Sequence, residues 1–305
     1  MSKIVVVGSF VMDQVAIIEK FPEVGQSVIG KTIKKFPGGK GANQCIAISR
    51  LGGDTKMIGM VGNDENGREF KKIFEEELND SSSILTCNEP TGMGLVQLDE
   101  NHDNKIVVIP GANHKFSLSD LKKFEDTIIN SDYVLCQLEL KLEVVENLIN
   151  LCHKNNVHII LNPAPACQLD NNLLAKVDIV TPNETELACL TQMKCDSKQE
   201  IIKAGLKLIS NGVKCVVCTM GSKGAIIIEK SGNKVIDAYK VNAIDTVAAG
   251  DSFNGSLAYC LSKGMTLVDS VKYSCAVAAC CVRKEGAIPS IPFKDEVDNF
   301  IKEYK

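Results

Sequence analysis

A chain of 305 residues with 45% hydrophobic residues can bury one large α/β core or two smaller ones. Its 34 basic and 38 acidic residues nearly balance, and no basic patch or aromatic-interleaved Lys/Arg run stands out, which argues against a nucleic-acid partner. No apolar run approaches the roughly 18 residues that cross a bilayer, and Met1-Ser2-Lys3-Ile4 runs straight into a short strand with no signal peptide, so a cytoplasmic protein without a membrane partner is expected.

Residues 4–8 form a continuous apolar run suited to a buried parallel strand. Asp13 follows at its carboxyl end, where open α/β sheets bind ligands. Two short alternating runs, 14–18 and 27–33, flank Phe21-Pro22-Glu23-Val24-Gly25 and read as an antiparallel ribbon outside the main sheet, a lid or a dimer contact. Phe36-Pro37-Gly38-Gly39-Lys40-Gly41-Ala42-Asn43-Gln44 precedes a helix over 45–51. It is either a loop that lets backbone approach a polar ligand or a plain glycine turn, and its spacing is not that of a Walker A loop.

From residue 57 the chain alternates. Strands are expected at 57–61, 94–98, 105–109, 133–138, 158–161, 179–180, 213–219 and 225–229. Helices are expected at 65–78, 119–129, 142–154, 172–176, 184–190, 198–210, 252–262 and 267–283. That rhythm predicts an α/β fold, a mostly parallel central sheet flanked by helices on both faces, with hairpins at 94–109 and 225–240. No repeat, linker or low-complexity tract divides the chain. Most of the thirteen cysteines (Cys45, Cys136, Cys152, Cys189, Cys215, Cys218, Cys260, Cys275, Cys280, Cys281) sit in apolar periodic segments and read as small reduced hydrophobes. Cys215-Val-Val-Cys218 lacks a second ligand pair for zinc.

Glu139 closes a strand at the same sheet edge as Asp13, and with Asn43 makes a set suited to a polyhydroxylated ligand. Thr181-Pro182-Asn183-Glu184-Thr185-Glu186 reads as a helix start, with Thr181 as N-cap, Pro182 at N1 and Glu184 at N3. Asn183 and Glu186 share a helix face and also suit the water shell of Mg²⁺. Thr219-Met220-Gly221-Ser222-Lys223-Gly224 is a glycine-rich turn suited to the nucleotide side. Finally, Asp245-Thr246-Val247-Ala248-Ala249-Gly250-Asp251-Ser252-Phe253-Asn254-Gly255 follows a polar strand-like run, 234–241, and puts small residues at a helix amino terminus, a ready anion site. Asp251 there is either an N-cap or a base that takes a hydroxyl proton during phosphoryl transfer.

In this order, together with Gly111-Ala112-Asn113, Gln137-Leu138-Glu139 and Asn162-Pro163-Ala164-Pro165-Ala166, these stretches resemble the ribokinases of the phosphofructokinase-B type of carbohydrate kinase family over essentially the whole chain. The resemblance implies one ribokinase-like domain, 1–305, with a β-lid built from about 14–34 and 93–110. It implies ATP-dependent phosphorylation of the 5-hydroxyl of D-ribose to ribose 5-phosphate. Asp251 would be the base, and Ala248, Ala249 and Gly250 would offer N–H groups to the transferred phosphoryl. Asp13, Gly38, Gly39, Lys40, Asn43, Glu139 and Asp251 would bind the sugar. Asn183 and Glu186 would organise Mg²⁺ and phosphate, and Thr219, Gly221, Ser222 and Gly224 would lie along ATP. Asp245, Val247, Gly286 and Ser290 would hold a monovalent cation, K⁺. The lid strands would pair in a homodimer. One position departs: ribokinases of bacterial type usually carry Asn two residues before the Asp matched to Asp13, and here Val11 stands there. That leaves open a deoxy or otherwise altered pentose such as 2-deoxyribose; separate alternatives on the same fold are a nucleoside or ketohexose kinase and, from another class, a non-catalytic sugar or nucleotide sensor.

Overall fold

A computed structural model describes residues 3–101 and 103–304. In chain order the elements are β1 (Lys3–Val7), β2 (Val11–Ile17), β3 (Thr32–Gly38), α1 (Lys40–Arg50), β4 (Asp54–Gly62), α2 (Glu65–Leu78), β5 (Ile84–Cys87), β6 (Gly92–Leu98), β7 (Asn104–Ile109), α3 (Leu118–Lys122), α4 (Glu125–Ile129), β8 (Tyr133–Cys136), α5 (Leu142–Lys154), β9 (His158–Leu161), α6 (Asn171–Leu174), β10 (Ile179–Val180), α7 (Glu184–Thr191), α8 (Lys198–Ser210), β11 (Cys215–Thr219), β12 (Ala225–Glu229), β13 (Gly232–Ile236), α9 (Ala249–Ser262), α10 (Leu267–Cys281) and α11 (Lys294–Glu303).

The main sheet has nine strands in the order β13-β12-β11-β10-β9-β8-β1-β4-β5. Every pair from β11 through β5 is parallel, and β12 and β13 close the other edge as an antiparallel hairpin. Strands buried on both faces need continuous apolar sequence, and β1 shows how it is used. Val5 and Val7 join the core under α5, α7 and α8, while Ile4 and Val6 face the opposite core with α1. α9 and α10 cover the hairpin end of that second face. The helices therefore lie on both sides, as the sequence rhythm predicts.

A separate four-stranded sheet, β3-β2-β6-β7, stands off the main one. Its β2–β3 and β6–β7 pairs are antiparallel and its β2–β6 pair is parallel. The ribbon expected at 27–33 forms instead at Thr32–Gly38. Alternation at 27–33 has nothing to pack on: Ile29 is 96% exposed. The helix expected over 119–129 is broken into α3 and α4. β5 and α11 were not legible as periodic segments. All thirteen cysteines are free, and Cys195 rather than Cys189 joins the buried set.

Candidate active site

The turns after β1, β8, β9 and β10 and the end of β11 converge on one sheet edge. The link from β1 to the small sheet is fixed by Asn113, whose amide accepts from Phe10 N (2.9 Å) and donates to Phe10 O (2.8 Å). Asp13 sits in β2, paired in register with Gly94. A Cβ on Gly94 would lie 2.0 Å from Asp13 Oδ1, so the carboxylate occupies space that only glycine leaves. Burial first, then the neighbouring Glu139, push the Asp13 carboxyl up to about 6; Lys40 opposes this and Asp251 adds to it.

β3 ends at Gly38, and Gly39 turns the chain into α1 with φ at +93°. A Cβ there would stand 2.6 Å from Val11 N, so both the conformation and the close approach demand glycine. No local side chain caps α1. Glu139 does so from the β8 turn: its Oε2 accepts from Lys40 N (3.0 Å) and from the Ser9 hydroxyl. Burial pulls the Lys40 ammonium down, but the carboxylates of Asp251, Glu139, Glu186 and Asp13 outweigh that and hold it above the ordinary lysine value.

Asp251 is not an N-cap. α9 begins at Ala249, with Ala248 as N-cap in the left-handed region (φ +61°), so Asp251 lies inside the first turn. Its carboxylate accepts from Asn43 Nδ2 (2.8 Å) and Gln44 Nε2 (3.0 Å), both on α1, and it is buried. Among the described residues no side chain caps α9, and apart from the helix's own backbone and the two adjoining residues no atom lies within 4 Å of a Cβ built on Gly250. Ala249 N donates to Thr246 O (3.3 Å), and the α9 amino terminus, with Asp251 as the acidic side chain of its first turn, opens on the cleft without a side-chain cap among the described residues.

On the far side, the N-cap of α7 is Asn183, not Thr181. Asn183 and Glu186 form a reciprocal capping box, with Glu186 Oε2 accepting from Asn183 N at 2.9 Å. Pro182 precedes the cap and offers its carbonyl to Thr219 N (2.9 Å), which brings β11 alongside. Burial raises the Glu186 carboxyl, the Asn183 N–H and Lys40 lower it, and Asp251 raises it. Ser222 lies exposed in the turn Gly221–Lys223. Gly224, with φ at +93°, packs so closely that a Cβ would lie 2.0 Å from Ile236 O.

Asp245, Val247, Gly286 and Ser290 also come together. Asp245 accepts from Val247 N (3.0 Å) and Gly286 N (2.9 Å). The Cys281 thiol lies 3.7 Å from Val247 O and 3.1 Å from Ser290 Oγ. The expected strand over 234–241 ends at Ile236, and the remainder runs as irregular chain to Asp245.

The model of the pfkB family of carbohydrate kinases matches residues 1–294. The chain belongs to that family. The kinase is 37% identical to the ribokinase of Haemophilus influenzae over 298 residues, 97% of either chain. It is 30% identical to the deoxyribokinase of Salmonella typhi over 301 residues, 98% of either chain. The structure of Arabidopsis thaliana ribokinase complexed with ribose and ATP matches it with a TM-score of 0.90 at 31% identity, covering 99% of both chains.

Sequence reasoning gave no site role to Gln44, Gln137, Asn162 or Asn254, and read Thr181 only as a helix cap; the five form one buried chain in the kinase. Gln137 donates to Gln44 (2.6 Å), Gln44 to Asn162 (3.1 Å), and Asn162 to Thr181 O (3.3 Å). Thr181 donates to Asn254, whose amide donates to Gly250 O (2.8 Å). The available signal was an amide closing an apolar strand: Gln137 follows Val134-Leu135-Cys136, and Asn162 follows Ile159-Ile160-Leu161.

Proposed function

We propose that this kinase transfers the γ-phosphoryl of ATP to the 5-hydroxyl of D-ribose. One observation carries the reading: the Asp251 carboxylate, in the open first turn of α9, is hydrogen-bonded to Asn43 of the helix that follows Gly38 and Gly39. The base, the polyol-binding carboxylates and the phosphate site thus share one cleft. Asp13 and Glu139 accept from sugar hydroxyls, and Asn43 Oδ1, buried without a partner among the described residues, is free to accept another. Asp251 takes the proton as the sugar oxygen bonds to phosphorus and the bond from phosphorus to the ADP oxygen breaks. The N–H groups of Ala248, Ala249 and Gly250 hold the charge on the phosphoryl oxygens, and Lys40 adds a cation on the same side. The ribokinase relatives and the ribose- and ATP-containing neighbour support this assignment.

The oxygen donors fit the metals the family implies. Asn183 and Glu186 would hold the water shell of Mg²⁺, which supplies charge neutralisation to the phosphates when bound. The Asp245 carboxylate, the Val247 carbonyl, the Gly286 segment and the Ser290 hydroxyl are hard donors suited to K⁺, which would brace the loop that carries the phosphate-binding N–H groups. Thr219, Gly221, Ser222 and Gly224 line the nucleotide side.

Residues 14–34 and 93–110 act as the lid over the sugar, and its outer face pairs two copies. Every residue of β7 is exposed, including Ile106, Val107, Val108 and Ile109. Such an edge strand invites pairing with another chain. Light scattering at twice the monomer mass supports the dimer, and the monomer mass contradicts it. No helix among the described residues is long and apolar enough to cross a membrane, which fits a cytoplasmic enzyme.

Val11 favours a second reading, 2-deoxyribose. It lies on β2 two residues from Asp13, so both side chains face the same side, and it is 6% exposed. An apolar side chain there offers a sugar hydroxyl no partner, a loss of roughly 1–3 kcal/mol. Comparing kcat/KM for ribose and 2-deoxyribose separates the readings. Val11→Asn is expected to move the ratio toward ribose, and no movement removes Val11 from the specificity argument.

A further inference from the structure

We infer that Gln44 is the positioning residue of the catalytic base: a fully buried amide that fixes the orientation of the Asp251 carboxylate and ties it to the strand ends of the main sheet. This rests on Asp251 being the base proposed above. Gln44 is 0% exposed, although it takes two N–H donors and a carbonyl oxygen out of water. Each is answered. Its Nε2 donates to Asp251 Oδ1 (3.0 Å) and Asn162 Oδ1 (3.1 Å), and its Oε1 accepts from Gln137 Nε2 (2.6 Å).

The directions of these bonds follow from chemistry. An ionised carboxylate only accepts, so the Gln44 nitrogen must face Asp251 and its oxygen must face Gln137. Asn43 donates to the other oxygen, Oδ2, at 2.8 Å. Asn43 and Gln44 are consecutive on α1, so one helix turn supplies a donor to each oxygen of the carboxylate. Asn43 lies next to the sugar side and has a direct claim on substrate. Gln44 points the other way, into Gln137 and Asn162 at the ends of β8 and β9, and touches no substrate position. Its effect must pass through Asp251.

Two consequences distinguish this from ordinary core packing. A hydrogen bond donated to a carboxylate favours its ionised form, so losing it raises the pH at which the base becomes active. A carboxylate that swings by an ångström loses rate without losing sugar affinity, a cost of about 10²-fold in kcat. A merely structural residue would lower stability and leave the pH profile where it was.

The test uses the full-length enzyme with Gln44→Leu and the near-isosteric Gln44→Glu, each checked for melting temperature and circular dichroism. Gln44→Leu is expected to lower kcat about a hundredfold with ribose KM changed less than about threefold, and to move the acid limb of kcat upward. Gln44→Glu replaces the donating amide with a carboxyl that repels the Asp251 carboxylate, so its kcat is expected to fall more steeply than that of wild type as pH drops from 8 toward 6. Selective ¹³C labelling of aspartate then follows the Asp251 carboxyl against pH without any substrate, and its midpoint is expected to rise in both variants. If Gln44→Leu does not fold, Gln44→Glu and Gln137→Met carry the same readouts, the latter with a smaller effect because only the Gln44 oxygen loses its partner. Wild-type kcat and an unmoved titration midpoint in a folded Gln44→Glu enzyme would overturn the inference. Absence of sugar-dependent turnover in wild type, with the midpoint still moving, would overturn the functional reading alone.

Discussion

Two helix amino termini meet in the cleft and are treated in opposite ways. At α1 the orphan N–H groups are answered by the protein itself, because Glu139 reaches from the β8 turn to Lys40 N. At α9 no side chain among the described residues caps them, and none of those side chains beyond the two adjoining residues lies within 4 Å of a Cβ built on Gly250. Each terminus carries roughly half a positive charge, so each would attract an anion. The protein fills the first and leaves the second without a side-chain cap, as the phosphoryl site proposed there requires. α7 is filled as well, by the Asn183–Glu186 box. An open terminus in a cleft otherwise made of closed ones supports the proposal that the charged part of the substrate binds there. The left-handed Ala248 that starts α9 costs on the order of 1–2 kcal/mol in backbone strain, which is kept where the geometry of the N–H groups matters.

The largest expected effect breaks the chemistry at the open terminus and leaves its shape. Asp251→Asn is expected to fold as wild type and lose roughly 10²–10⁴ in kcat, measured in steady-state assays with ribose and ATP. Turnover within tenfold of wild type would remove Asp251 as the base.

Asp13 sharpens the contrast with Glu139, whose charge is satisfied at α1. Asp13 is raised to about 6 by burial and by Glu139, against roughly 3.9 in an unfolded chain. A raised acid favours its neutral form in the fold. The stability it contributes is present below about pH 4 and is lost as pH rises through 6. Asp13→Asn is therefore expected to gain stability over wild type at pH 8, by at most ~3 kcal/mol, and to match it at pH 4. In wild type the ribose KM is expected to fall as pH rises through 6, because only the ionised carboxylate accepts from two hydroxyls. Denaturant melts at the two pH values and a KM profile check both.

Closing the open terminus converts α9 into a copy of α1. Gly250→Asp is expected to lower kcat/KM for ATP by about 10–10²-fold, with ribose binding by calorimetry unchanged. The converse change is smaller. Glu139→Gln removes the charge that caps α1 and is expected to cost about 1–2 kcal/mol, read as a lower melting temperature.

Most of the frame was legible because it depends on local periodicity. α2, α5, α8, β9, β10 and β12 fall where apolar spacing and turn residues put them. Strand β3 was misplaced because alternation at 27–33 looks the same whether or not a core lies beneath it. The site residues were legible as a set through their motifs, but their bonds were not. Asn183 as cap, Glu139 as the remote cap of α1 and Gln44 as partner of Asp251 join positions 3, 99 and 207 residues apart. The long-range bonds depend on the order of strands in the sheet, which single-segment patterns do not contain. The same holds for Arg50, which ties α1 to the loop near Ser290 by donating to Ile288 O (2.9 Å) and Ile291 O (2.7 Å).

The most direct test of the central claim is the identity of the product. The enzyme is incubated with Mg-ATP and D-ribose, with and without K⁺, beside 2-deoxyribose, adenosine and fructose. ADP release is followed, and the phosphoester position is read by ³¹P and ¹³C NMR. The account predicts ribose-dependent ADP release, stimulated by K⁺, with phosphate on the C5 oxygen. ADP release that is independent of every sugar, or phosphate at another carbon, would contradict it.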